Sequence, residues 1–211
     1  MKAIEVKNAH FQYNKTKVIY EGLNFSLNRH ERIFLSGPSG VGKSSFLYWL
    51  NDCVPQHILA EASGEYLLFE QPINSYTHAQ KIQTINLVFQ QPHWQFVGLY
   101  VMDELAFALE NIQTPASIIK SKIMELLTAF DCIYLKDKKI VECSIGEQQL
   151  IALGSTMLLQ PKILCLDEAL SALSFEKKKQ IIPIIEQQIE TLLVVDHQHD
   201  SLWNISKRFT L

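Results

Sequence analysis

The sequence predicts an α/β fold in which a β-rich N-terminal layer precedes a parallel sheet, with a helical segment set into that sheet. Three observations carry this reading. The first 37 residues alternate short apolar runs with turn residues. Three later runs, 85–89, 163–166 and 191–195, are dense in β-branched residues and Leu without alternation, the pattern of strands buried on both faces. Between Pro92 and Leu159 the apolar spacing turns helical and no strand signal remains.

In chain order, strands are expected at 4–11, 17–20, 23–27 and 32–35. A helix follows over 43–53, with Phe46, Leu47 and Leu50 on one face. Strands come next at 65–69 and 85–89. A helix over 116–130 carries Ile118, Ile119, Ile123, Leu126 and Leu127, another covers 148–159, and the strands at 163–166 and 191–195 complete the sheet. The expected organisation is a single domain, 1–211, with its core in 1–90 and 161–211 and a helical subdomain at 91–160. No repeat or low-complexity tract marks a break.

A chain of 211 residues suffices for one sizeable core or two merged subdomains. Its 47% apolar and 19% charged residues exclude a disordered chain. A net charge of −3 gives no global basic field, so nucleic acid is not an expected partner. The cluster Lys177, Lys178 and Lys179 reads as a solvated helix face. Cys53, Cys132, Cys143 and Cys165 share no metal-ligand spacing, and Cys165 sits in an apolar run, which suits a reducing, cytosolic compartment. Residues 1–6 pass directly into strand pattern without a signal peptide. No apolar stretch reaches the roughly 20 residues that span a bilayer, so a membrane role would come through a partner.

The run Gly37, Pro38, Ser39, Gly40, Val41, Gly42, Lys43, Ser44 fits G-x-x-x-x-G-K-[ST], after a strand and ahead of a helix. Glycines let the backbone curl so that successive N–H groups face a phosphate, and the helix N-terminus adds positive potential. Lys43 can reach the β- and γ-phosphates of a nucleotide, and the Ser44 hydroxyl can ligate Mg²⁺. Ser45, next on the helix, completes the ATP-binding set. The apolar run Ile163, Leu164, Cys165, Leu166 ends in Asp167 and Glu168, carboxylates delivered at the edge where α/β sheets bind ligands. Asp167 would hold Mg²⁺ through its water shell. Glu168 would polarise the attacking water as general base.

Five further segments, in order, make the sequence resemble the ATP-binding-cassette (ABC) ATPases, with a P-loop, RecA-like core, an antiparallel β layer and an inserted helical subdomain. Phe11, Gln12 and Tyr13 look like the family's aromatic loop, with Tyr13 against adenine. Phe89, Gln90, Gln91 and Pro92 resemble the Q-loop, with Gln90 linking the γ-phosphate and Mg²⁺ to the helical subdomain. Cys143 to Gln149 resembles the signature L-S-G-G-Q, in which Ser144 and Gly146 would reach the γ-phosphate of a second subunit's ATP. Ser171, Ala172, Leu173 and Ser174 resemble the D-loop. Leu192 to His197 looks like the last core strand ending in the switch histidine, with His197 on the γ-phosphate and His199 as the nearby alternative.

The segment from Leu87 to Phe107 is similar to the ATPases of energy-coupling-factor (ECF) importers, which take up vitamins and metal ions. The resemblance implies Mg·ATP hydrolysis between two ABC subunits, alike or different, on the inner face of the membrane. In those proteins acids after the Q-loop meet arginines of the transmembrane subunit. Asp103 and Glu104 match, although the same pair also suits a helix N-terminus. The alternatives are a conventional ABC importer or exporter ATPase, or a soluble ABC ATPase. Four positions depart from the family pattern: Ile145 for the first signature glycine, Glu147 for its glutamine (a replacement common in the ECF group), Leu150 for the arginine three residues on, and Ser174 for the D-loop aspartate. Ile145 excludes backbone conformations that glycine permits. Signature and D-loop serve the partner's ATP, so these departures would weaken the opposite site and favour an asymmetric pair.

Overall fold

A computed structural model describes residues 1–14, 17–54, 59–196 and 200–211. The strands are β1 (Lys2–Asn14), β2 (Lys17–Asn28), β3 (Arg32–Ser36), β4 (Glu61–Leu68), β5 (Gln71–Pro72), β6 (Ile85–Val88), β7 (Ile163–Asp167), β8 (Thr191–Val195) and β9 (Lys207–Thr210). The helices are α1 (Lys43–Leu50), α2 (His78–Thr84), α3 (Val101–Asn111), α4 (Ala116–Ala129), α5 (Ile145–Leu158) and α6 (Phe175–Gln188). One sheet is antiparallel in the order β2-β1-β4-β5; the other has the order β6-β7-β8-β3-β9 with every pairing parallel.

Two cores lie on opposite faces of the parallel sheet. Ile163, Cys165, Leu193 and Val195 pack with α1 and the antiparallel layer. Leu164, Leu166, Leu192 and Val194 pack with α3, α4, α5 and α6. Alternate residues of one strand thus enter different cores, which explains apolar runs without alternation. In the Cys165 thiol, burial pushes the pKa up to about 12.

Several elements differ from the sequence expectation, each for a reason of pairing. Residues 17–28 form one strand, because β1 pairs along its whole length. Residues 32–36 belong to the parallel sheet, with Ile33, Phe34 and Leu35 all buried. The antiparallel layer is completed by 61–72. Polar Glu61 joins β4 because it faces Gln12 of β1, whose amide donates to its carboxylate at 2.6 Å. The first helix stops at Leu50, where the Asn51 side chain donates to the Leu47 carbonyl at 2.8 Å. β9, short and bearing Lys207 and Arg208, has too little apolar content to be read as a strand, yet it pairs with β3. β3, β6, β7 and β8 run parallel, so their C-terminal ends meet along one edge of the sheet.

Candidate functional site

The loop after β3 owes its shape to glycines at two tight points. Gly37 has φ 141°, and a Cβ there would lie 3.0 Å from both the Leu211 carbonyl and the Val41 side chain. Gly42, the residue before α1, has φ 108°, and a Cβ would run into Ile19 of β2. Both the backbone angle and the space demand glycine. Val41 donates its N–H back to the Pro38 carbonyl at 3.3 Å, closing the turn through Ser39 and Gly40. The Lys43 ammonium is buried and donates to the carbonyls of Gly37 at 2.8 Å and Pro38 at 3.0 Å. It is therefore held inside the loop's concavity.

Ser44 donates its hydroxyl to Asp167 Oδ1 at 3.0 Å, joining α1 to the end of β7. Asp167 is fully buried, and its Oδ2 is enclosed without a hydrogen-bond partner. Burial pushes this carboxyl up, with the Ser44 and Tyr48 hydroxyls pulling the other way. A buried carboxylate oxygen with no donor, beside a serine hydroxyl, fits a hard divalent cation that prefers oxygen ligands.

Glu168 has φ 49°, a left-handed backbone uncommon outside glycine. Its N–H donates to the Val195 carbonyl at 2.8 Å, and its own carbonyl accepts from the Ser171 N–H at 3.0 Å. The chain thus turns sharply out of β7, and the Glu168 carboxylate accepts the Gln90 side-chain amide at 2.9 Å. Gln90 follows β6, adjacent to β7 in the sheet. Lys43, Ser44, Gln90, Asp167 and Glu168 accordingly gather at neighbouring strand ends.

Tyr13 lies in β1, and its hydroxyl meets Ser45 Oγ at 2.7 Å while its ring meets Phe11 edge-on at 5.1 Å. The aromatic residue sits over the start of α1. His197 and its alternative His199 lie outside the described residues.

The signature residues engage their own helix. Ser144 caps α5, accepting the Glu147 N–H at 3.3 Å while its own N–H donates to the Glu147 carboxylate at 2.7 Å. This reciprocal capping box starts the helix at Ile145, three residues before the expected Gln148. Burial opposes the charge on Glu147, but the Ser144 N–H and hydroxyl, the Tyr134 hydroxyl and Lys138 outweigh it, so its pKa falls below the usual range. Ile145 occupies the first turn with its side chain 65% exposed. Its backbone is helical, so glycine's conformational freedom is not required there, and the cost of the substitution is steric, at whatever faces the helix end.

Gly146 approaches the loop after β7 closely, where a Cβ would lie 3.0 Å from the Ala172 carbonyl. Sequence reasoning missed Gln149, which is buried beside it. Its amide donates to Ser171 Oγ at 3.1 Å and accepts the Ala172 N–H at 2.9 Å, fastening α5 to that loop. A second glutamine directly after Gln148, at the head of a largely apolar helix, was the available signal. Ser174 caps α6 by accepting the Lys177 N–H at 3.2 Å, so exchange of aspartate for serine preserves the cap and removes only a charge.

One expected contact is corrected. Glu104, matched to a partner's arginines, is 2% exposed and accepts the N–H groups of Val97 and Gly98 at 2.8 Å each. Ser155 approaches its other oxygen at 3.5 Å. The carboxylate ties the segment before α3 to the helix and is not presented outward. Asp103, beside it, is exposed.

A strand, a glycine loop around a lysine, and carboxylates on the adjacent strand define a P-loop nucleotide-binding fold. The family model described as ABC transporter matches residues 20–171, and the chain belongs to that family. The chain is 34% identical over 203 residues to the putative HMP/thiamine import ATP-binding protein YkoD of Bacillus subtilis, covering 93% of this chain and 37% of that protein. It is 32% identical over 216 residues to the energy-coupling factor transporter ATP-binding protein EcfA1 of Oenococcus oeni, covering 100% of this chain and 76% of that protein. The solved structure of cbiO1 from Clostridium perfringens, part of the ABC transporter complex cbiONQ, shares the fold with a TM-score of 0.75 at 24% identity, covering 93% of this chain and 79% of that one. The chain spans 37% and 34% of the length of two curated relatives, YkoD and a putative ABC transporter ATP-binding protein of Methanosarcina mazei.

Proposed function

We propose that the chain binds and hydrolyses Mg·ATP as the motor subunit of an ABC importer of the energy-coupling-factor type. In this reading it works against a second ABC ATPase subunit and drives an integral membrane subunit from the cytoplasmic face. The observation that carries it is the convergence at neighbouring strand ends of the Lys43 loop, joined to Asp167 through Ser44, and the segment after β6, joined to Glu168 through Gln90. Similarity to import ATP-binding proteins supports the importer type, and the resemblance to that group points to a vitamin or metal ion as cargo. Among the described residues no helix is long and apolar enough to cross a membrane.

The roles follow from position. Backbone N–H groups from Gly37 to Ser45, with Pro38, Ser39, Gly40, Val41 and Gly42 shaping the turn, would cradle the phosphates. The Lys43 ammonium would exchange its loop carbonyls for phosphate oxygens, and Tyr13 would lie against adenine. Ser44, Asp167 and Gln90 would hold Mg²⁺, which supplies charge neutralisation at the β- and γ-phosphates. Glu168 would take a proton from water, held in place by Gln90 until substrate arrives. His197 would donate to the γ-phosphate. Ser144 and Gly146 would serve the ATP of the facing subunit, and the partner's equivalents would serve this one.

An asymmetric pair is favoured over a homodimer by Ile145. An exposed branched side chain at the head of α5 crowds the approach to a facing nucleotide, so the site opposite would be the slow one. The test uses Glu168→Gln. This variant should bind ATP as wild type does and lose about 10²–10⁴-fold in turnover, and wild-type turnover should rise faster than linearly with concentration until pairs saturate. Full hydrolysis by Glu168→Gln in the assembled complex refutes the base assignment. A rate strictly proportional to concentration refutes the need for a facing subunit.

A further inference from the structure

Tyr13 lies at the end of β1, beyond the pairing of Gln12 with Glu61 of β4. A side chain at a strand end has few neighbours to fix it, yet this ring is held on both sides. Phe11, on the same face of the strand, is fully buried and meets the ring edge-on, with centroids 5.1 Å apart and planes at 78°. At the far end of the ring the hydroxyl pairs with Ser45 Oγ at 2.7 Å, the usual length of an O–H···O bond. The ring as a whole is half-buried, so part of its surface is open.

Ser45 belongs to the phosphate end of the site. It follows Ser44, whose hydroxyl donates to Asp167, and one residue turns a helix by about 100°. The neighbouring hydroxyls therefore serve different partners, one on the sheet edge that bears the acids and the other on the antiparallel layer. That layer reaches the loop a second time at Gly42, where a Cβ would lie 3.6 Å from the Tyr20 ring. Tyr20 is in turn opposite Phe11 across the β1–β2 pairing, with ring centroids 5.5 Å apart. Tyr13, Phe11 and Tyr20 thus form one aromatic group that adjoins the glycine loop. An aromatic side chain that must be immobilised when a base stacks on it weakens binding by the entropy it loses. A bond from the head of α1 orders Tyr13 in advance and removes that cost.

We propose that Ser45 is a positioning residue for base recognition: its hydroxyl holds the Tyr13 ring where a nucleotide base stacks, so that the phosphate loop also sets the base platform. This rests on the nucleotide-site reading above.

The test is calorimetric titration of the full chain, with Mg²⁺ present, by ATP and separately by inorganic tripolyphosphate, which carries the phosphates without a base. If wild type does not bind ATP, the nucleotide reading itself fails. If it binds ATP no more tightly than tripolyphosphate, the base contributes nothing and this inference alone fails. Ser45→Ala should lower the ratio of ATP to tripolyphosphate affinity about two- to ten-fold, the effect of leaving one large side chain to be ordered on binding. Tyr13→Phe keeps the ring, removes the hydroxyl and should lower the ratio equally. The double variant should fall no further than either single one, as two groups acting through one bond require. A ratio left at its wild-type value in either variant, as a serine that served only the phosphates would give, overturns the proposal. Additive losses in the double variant overturn it too. Should Ser45→Ala not fold, Tyr13→Phe decides alone: a wild-type ratio overturns the proposal and the expected fall upholds it.

Discussion

Replacing Glu104 by alanine separates a structural carboxylate from a docking one. The side chain is 2% exposed and its Oε2 accepts two backbone N–H groups, from Val97 and Gly98, at 2.8 Å each. Gly98 lies so close to α3 that a Cβ would come within 2.6 Å of the Glu104 nitrogen, leaving little room for the segment to find other acceptors. Hydrogen bonds to a charged group contribute about 1.5–3 kcal/mol each when well buried, and less when one donor lies near solvent. Val97 is exposed and Gly98 half-buried. Glu104→Ala should therefore cost about 2–3 kcal/mol in urea unfolding, or about 4–12 °C in Tm for a chain of this size. Glu104→Gln, which retains an acceptor oxygen and offers its amide to Ser155, should cost about 1 kcal/mol. Asp103→Ala, on the surface, should stay within about 0.5 kcal/mol of wild type. If Glu104→Ala unfolds with wild type but no longer captures the membrane subunit, the structural reasoning is wrong and the carboxylate is a docking group.

Two other perturbations test the head of α5. Because the folded-state pKa of Glu147 is depressed, its contribution is present above the unfolded value of 4.5 and lost as pH falls through the folded one. Glu147→Gln should thus be less stable than wild type at pH 7 by about 0.5–1 kcal/mol, with the gap in urea midpoint closing on acidification; a gap constant with pH counts against the charge-based account. Restoring Ile145→Gly together with Ser174→Asp should raise turnover at the site facing this chain's signature in the assembled complex. An unchanged rate would mean that the isoleucine is tolerated and the pair is not asymmetric for this reason.

Much of the site was legible because it is local in the chain. The phosphate loop, the strand–helix context and the Asp167–Glu168 pair are fixed by consecutive residues whose backbone demands can be read directly, as at Gly42 beside Ile19. What was misread depends on distant partners. Arg32 to Ser36 has the composition of any short strand, and its membership in the parallel sheet is decided by β8 and β9 on either side. The head of α5 was placed three residues late, although Ser144 and Glu147 have the S-x-x-E spacing of a capping box, because the apolar periodicity begins only beyond Gln148 while the box closes at Ser144.

The sequence by itself determined the fold class, the phosphate loop and the family, because periodicity and glycine placement act over a few residues. Only the tertiary structure decided which polar groups are exposed. Glu104 and Asp103 are adjacent acids on one helix, yet one is enclosed by Val97 and Gly98 and the other faces solvent. Gln149 became a fastening between α5 and the Ser171 loop, and Tyr48 of α1 the neighbour of Phe89 after β6. Burial and hydrogen bonding arise from segments far apart in the chain, so which of two like residues is desolvated is settled only when the layers pack.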